Sequence, residues 1–189
     1  MDDFTPLGQN KRHNATVAEE QAMPGLHQRL LQLISGEKIL DLGCGSGHFS
    51  RLLPDKKFSL VDCLPRQGLN NTVADLSHDT LPFTDASFDT VLLIEVAEHL
   101  ENPWHAVREA KRVGRCVIIS TPIVDDLRNK LIYLLHGRFF FFFSGDDDHI
   151  QPLFRKQLDW MRGDWTKTEE LVYGDGSGAK TLIQKWMRP

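Results

Sequence analysis

The chain predicts an open α/β fold: a seven-stranded, mostly parallel sheet with helices on both faces and a C-terminal antiparallel hairpin. Three observations predict it. Short apolar runs alternate with helix-period segments between residues 24 and 122, the pattern of strand–helix units joined by right-handed crossovers. Residues 88–94 form a near-continuous apolar run of the kind a strand buried on both faces requires. In the tail, residues 165–173 and 180–187 are strand-like and the glycine-rich stretch 174–178 joins them as a turn.

Each element follows from local chemistry. Residues 1–24 are polar and weakly periodic, so order begins near Pro24, which can open a helix presenting Leu26, Leu30, Leu31 and Ile34 on one face. Ser35 and Gly36 close that helix, and the first strand covers 38–42. A short helix over 48–53 stops at Pro54. The second strand, 58–61, has Asp62 at its carboxyl end; Pro65 and Gly68 leave no room for a full helix before a third strand at 71–74. After the apolar fourth strand, a helix over 103–113 turns Trp104, Val107 and Ala110 inward and ends at Gly114. The fifth strand, 116–120, is closed by Thr121 and Pro122.

At 189 residues the chain fits one domain, divided into an N-terminal helical segment (1–35), a core (36–122), an insertion with a late helix (123–160) and the hairpin (161–189). Hydrophobic residues at 41% and charged residues at 25% are ordinary for a globular protein. A net charge of −4 without a basic cluster argues against nucleic acid as a partner. No segment has the roughly 20 apolar residues of a membrane span, and the first residues lack an export signal. The odd cysteine set, Cys44, Cys63 and Cys116, reads as buried thiols of a reducing, cytoplasmic compartment rather than a disulfide framework.

The chemistry centres on the stretch ILDLGCGSG at 39–47. An apolar run ends in a carboxylate, and Gly43, Gly45 and Gly47 follow at alternate positions before a helix begins. Such a turn lets the backbone approach a cofactor and offers it a helix N-terminus. A dinucleotide fingerprint spaces its glycines G-x-G-x-x-G, which would put the third where His48 stands. The acid Asp41, two residues before the first glycine, would repel a pyrophosphate but pair with an ammonium. The amino-acid end of S-adenosylmethionine carries an ammonium beside a sulfonium. The first four strands end at acids, Asp41, Asp62, Asp75 and Glu95, along the edge where open α/β sheets bind ligands. Asp62, 21 residues after Asp41, suits ribose hydroxyls in either cofactor class, while Asp75 and the Leu76 N–H can read an adenine edge.

The stretch from Asp41 to Gly47 closely resembles the first motif of class I S-adenosylmethionine-dependent methyltransferases. LPFTDASFD at 81–89 and EVAEHLENP at 95–103 resemble signatures of the type 11 group, which includes ubiquinone-biosynthesis enzymes. The resemblance covers roughly 36–122, with an echo at 149–160. It implies a Rossmann-like fold, S-adenosylmethionine as cofactor, and methyl transfer to a small, apolar or aromatic acceptor. Its cofactor set would be Asp41, Gly43, Cys44, Gly45, Gly47, Asp62, Cys63, Asp75, Leu76 and Glu95. A non-catalytic S-adenosylmethionine-binding protein is the alternative, and a nicotinamide oxidoreductase the more distant one.

His99 and His149 are the candidate general bases. The competing reading has Glu98 and His99 capping the loop after the fourth strand. The acids Asp146, Asp147 and Asp148 before His149 form a carboxylate–histidine cluster, but no further ligand is placed by sequence and no metal is assigned. The run Phe139, Phe140, Phe141, Phe142 and Phe143 cannot all enter one core. It reads as a lid on an apolar acceptor, a peripheral membrane contact, a dimer contact or a piece of the domain's own core. A monomer and a homodimer fit equally.

Overall fold

The computed structural model describes residues 24–139, 142, 149–174 and 180–189. The polar N-terminal stretch 1–23, Phe140, Phe141, Phe143, the acids Asp146, Asp147 and Asp148, and turn residues 175–179 lie outside the described residues.

Among the described residues the order is α1 (Pro24–Leu33), β1 (Lys38–Leu42), α2 (His48–Leu52), β2 (Lys57–Asp62), β3 (Thr72–Val73), β4 (Thr90–Ile94), a 3₁₀ turn (Ala97–His99), α3 (Pro103–Val113), β5 (Cys116–Pro122), α4 (Leu127–His136), α5 (Arg155–Arg162), β6 (Thr166–Gly174) and β7 (Lys180–Met187). The strands form one sheet in the order β3-β2-β1-β4-β5-β7-β6. The first five strands are parallel; β7 pairs antiparallel with β5, and β6 with β7. Strand order reverses between β1 and β4, so a ligand crevice is expected across their carboxyl ends.

Side chains alternate through the sheet with the two-residue period of a strand. Leu40, Leu42, Val91, Leu93, Val117 and Ile119 pack with Ala106, Val107 and Ala110 of α3 and Leu158 and Met161 of α5. On the other face Ile39, Leu92, Ile118 and Ile183 meet Leu26, Leu30 and Leu33 of α1 and Phe49 of α2. Burying each such side chain contributes about 1.5–3 kcal/mol. Helices therefore cover both faces, which is why the central strands are mostly apolar.

Two expectations change in detail. The third strand is only two residues long, and, as expected, no helix forms between Asp62 and Thr72. Instead the connection folds on itself: Asn71 Oδ1 accepts from the Arg66 N–H at 2.9 Å, and Asn71 Nδ2 donates to the Leu64 carbonyl at 2.9 Å. Trp104, expected to point inward, is 37% exposed. The buried side of α3 holds Pro103, Ala106, Val107, Ala110 and Val113. At about 100° per residue, Trp104 is rotated off that side.

The stretch 81–89 is structural support. Leu81 N–H donates to Glu109 Oε2 at 2.8 Å, and Arg112 donates to the carbonyls of Leu81 and Phe83 and to Asp85. The Arg112 hydrogen bond holds the Glu109 carboxyl below its ordinary range. Asp89 accepts from the N–H groups of Lys38 and Glu37 at 3.0 and 2.8 Å, locking the entry of β1 to that of β4.

Candidate active site

The turn after β1 is stitched to the end of β2. The N–H groups of Gly43 and Cys44 donate to the Val61 carbonyl at 2.8 and 3.0 Å, and Gly47 N–H closes back onto the Cys44 carbonyl at 2.8 Å. Gly43, Gly45 and Gly47 take positive φ of 74°, 50° and 76°, a region that costs other residues about 1–2 kcal/mol. At Gly43 space is a second constraint, because a Cβ there would lie 2.5 Å from Val96 Cγ2.

Asp41 and Asp62 are 3% and 2% exposed. Asp41 sits opposite Leu60 of β2 and Leu92 of β4, at the reversal of strand order. Asp62 Oδ2 accepts from Gly45 N–H at 2.9 Å; Oδ1 accepts from Leu64 N–H at 3.2 Å and pairs with Arg66 Nη2 at 2.8 Å. The carboxylate thus ties the glycine turn to the loop after β2. Between the acids lies Cys44, whose thiol is pushed up to about 12 by burial first, then by the charges of Asp41 and Asp62. The same field suits an ammonium or sulfonium and opposes a pyrophosphate. Cys44 is accordingly expected to resist alkylation in the folded protein at mildly alkaline pH, while half-buried Cys63 reacts. Peptide mass mapping after brief iodoacetamide treatment checks this; rapid labelling of Cys44 would mean its surroundings are not as described.

The other acids are placed differently. Asp75 is exposed, with Oδ1 accepting from Ser77 N–H at 2.8 Å, while the Leu76 side chain is buried. Glu95 directly follows β4 with φ of 51°, a strained value for a non-glycine residue. Ser120 of β5 holds it: Ser120 Oγ donates to Glu95 Oε1 at 2.6 Å and accepts from Glu95 N–H at 3.1 Å.

Beyond Glu95 the 3₁₀ turn buries Glu98 completely. Its carbonyl accepts from the N–H groups of Ile150 and Gln151, both at 3.0 Å, and Gln151 Nε2 donates to the Glu101 carbonyl at 2.7 Å. These bonds pin the segment before α5 to the rim of the sheet. His149 and His99, fifty residues apart in the chain, therefore come together with ring centroids 4.6 Å apart. The ligating atoms of Glu98, His99 and His149 all lie within 4.8 Å of one another. Phe142 packs against His149 at 5.2 Å and is itself buried. The association of Glu98 with both histidines was not readable from sequence, since it depends on the carbonyl of one turn capturing a distant segment.

The insertion after β5 exposes most of α4. Leu127, Leu131, Leu134 and Leu135 are at least half exposed, and Asn129 is the buried residue of the helix. Tyr133 stacks on Phe139 at 4.9 Å, and Phe139 meets Phe154 edge-on at 5.7 Å. A shallow groove of about 480 Å³ runs along α4 between Leu131, Leu135 and Lys180; no residue of the glycine turn lines it. No helix among the described residues is long and apolar enough to cross a membrane.

Residues 40–116 match the model of a methyltransferase domain. A curated relative, 27-O-demethylrifamycin SV methyltransferase of Amycolatopsis mediterranei, is 29% identical over 131 residues, covering 57% of this chain and 48% of its own length. The chain spans about half or less of the length of such curated relatives. Two solved structures share the fold. The PH0226 protein of Pyrococcus horikoshii OT3 has a TM-score of 0.64 at 20% identity, covering 94% of this chain and 93% of that one. A Haloferax volcanii protein solved in complex with the Trm112 methyltransferase activator has a TM-score of 0.63 at 16% identity, covering 95% and 97%. Matched residues, glycine turn and sheet order agree: over residues 40–116 the chain is similar to class I S-adenosylmethionine-dependent methyltransferase domains of the type 11 group, and S-adenosylmethionine is the cofactor such a domain implies.

Proposed function

We propose that the protein transfers a methyl group from S-adenosylmethionine to a small, apolar or aromatic acceptor. The observation that carries this reading is the pair of buried acids, Asp41 and Asp62, flanking a positive-φ glycine turn at the strand-order reversal. Bound there, the cofactor supplies an electrophilic methyl on a sulfonium. Gly43, Cys44, Gly45 and Gly47 would shape the bed of its methionine moiety, with Asp41 and Glu95 answering the positive charge. Asp62 would hold the ribose hydroxyls and Cys63 border them. Asp75 and Leu76 would read the adenine.

The acceptor would approach from the side of His99 and His149. Phe142 lies against His149 at this place, which favours an apolar or aromatic partner. The Amycolatopsis relative is named for 27-O-demethylrifamycin SV, and an oxygen acceptor is adopted here by that analogy. If such a hydroxyl must lose its proton, His149 or His99 would take it. Holding acceptor and methyl in line supplies most of the acceleration.

Calorimetric titration with S-adenosylhomocysteine, with NADH in parallel, is the test. Micromolar binding of the first and none of the second is expected. Binding of NADH alone would replace the reading with an oxidoreductase, and binding of neither would remove the cofactor assignment.

A further inference from the structure

We infer that Glu98, His99 and His149 form a site for one divalent transition-metal ion of the zinc type, set on the acceptor side of the methyl-transfer centre. Three features meet there. The donor set is two imidazoles and one carboxylate, the set that catalytic zinc and related ions use while keeping positions open for another ligand. Imidazole donors favour zinc, cobalt or iron over magnesium or calcium, which prefer oxygen alone. The donor atoms already converge within 4.8 Å, though the residues come from two segments fifty positions apart. A tetrahedral ion with bonds of about 2.0 Å asks for roughly 3.3 Å between ligand atoms, so closing the site needs side-chain rotations of about an ångström.

The surroundings favour the ion. Glu98 is fully buried, so its carboxylate acts in a low-dielectric setting where attraction to a divalent cation is strong. The frame is held by backbone: the Glu98 carbonyl holds Ile150 and Gln151, and His99 N–H donates to the Val96 carbonyl at 3.0 Å. Val96 is the residue whose side chain packs where a Cβ on Gly43 would go, so the cluster borders the glycine turn.

The ion's part in catalysis rests on the methyl-transfer reading; its binding does not. A ligating imidazole has no lone pair free to accept the acceptor's proton. In the loaded protein the ion would make a hydroxyl it contacts more acidic, and so would take over the work otherwise left to His99 or His149. The hydroxyl proton leaves to solvent, and the oxygen's electron pair forms the new C–O bond. The C–S bond breaks with its pair going to sulfur, so charge and atoms balance.

The experiment uses the full chain without a polyhistidine tag, stripped with chelator and dialysed. Zn²⁺ is titrated by calorimetry, and Co²⁺ is added to a second sample for its visible spectrum. One saturable equivalent of Zn²⁺ is expected, weakened at least about tenfold by His149→Ala or His99→Ala. His78→Ala, at an exposed histidine elsewhere, should change nothing. Co²⁺ should give the strong visible bands of a four- or five-coordinate site. Absence of saturable Zn²⁺ binding, binding indifferent to His149→Ala, or only the weak spectrum of hydrated Co²⁺ would each overturn the proposal. S-adenosylhomocysteine titrated into the same samples keeps the questions apart: its binding reports an intact fold in each variant, and its failure with Zn²⁺ binding retained would strike the methyl-transfer reading alone.

Discussion

Asp62→Ala is expected to weaken S-adenosylhomocysteine binding by about a hundredfold and to lower the melting temperature as well. Hydrogen bonds to a charged group contribute about 1.5–3 kcal/mol each, and the carboxylate is the proposed acceptor for both ribose hydroxyls. The effect on stability has a separate cause. Asp62 Oδ1 is the partner of Arg66 Nη2, and the Arg66 side chain is only 12% exposed. Removing one member of such a pair leaves a nearly buried charge uncompensated, at a cost of roughly 3 kcal/mol. Gly45 N–H also loses its acceptor, so the glycine turn loosens. The double variant Asp62→Ala, Arg66→Met separates the two effects: it should regain most of the stability and none of the affinity. Calorimetry and thermal unfolding on the three proteins decide this. Unchanged affinity in Asp62→Ala would sink the ribose assignment, whatever happened to stability.

Gly43→Ala should destabilise the fold by about 2–5 kcal/mol and abolish detectable cofactor binding. Part of this is local, since a φ of 74° costs an alanine about 1–2 kcal/mol. The rest is collision: the new Cβ would stand 2.5 Å from Val96 Cγ2, well inside van der Waals contact. Overpacking of this kind typically costs 1–3 kcal/mol, and relief requires the end of β1 to move away from the turn after β4. The Gly43 and Cys44 N–H groups that hold the turn to Val61 would shift with it. A double-mutant cycle with Val96→Ala isolates the collision, because trimming Val96 removes the clash and leaves the dihedral cost. Denaturant unfolding should show a favourable coupling of more than about 1 kcal/mol between the two sites. Additive effects would mean that the turn and Val96 are not in contact.

Much of the fold was legible because it is written in local patterns. The helix over Pro103–Val113, the strand Lys38–Leu42 and the second hairpin strand Lys180–Met187 have the expected bounds. Each combines a hydrophobic period with a Pro, Gly or turn signal at its ends. The miss at Trp104 shows the limit, since aromatic character said "inward" while the helix turned that position away from its packed side. The two-residue β3 shows another, because only Thr72 and Val73 pair, with Val61 and Asp62 at the end of β2.

The sequence by itself determined the cofactor turn, the seven-strand architecture and the acids along the strand ends, since these depend on residue types at short, regular spacings. Only the tertiary structure decided how the acids are used. Asp62 bridges the glycine turn and Arg66, Asp75 lies exposed in a turn of its own, and Glu95 is held strained by Ser120 on the neighbouring strand. It likewise decided that Glu98 joins His99 and His149. Periodicity speaks for neighbours a few residues apart. Contact between residues 98 and 149 depends on one carbonyl accepting two N–H groups from a segment fifty positions away, a choice made by packing.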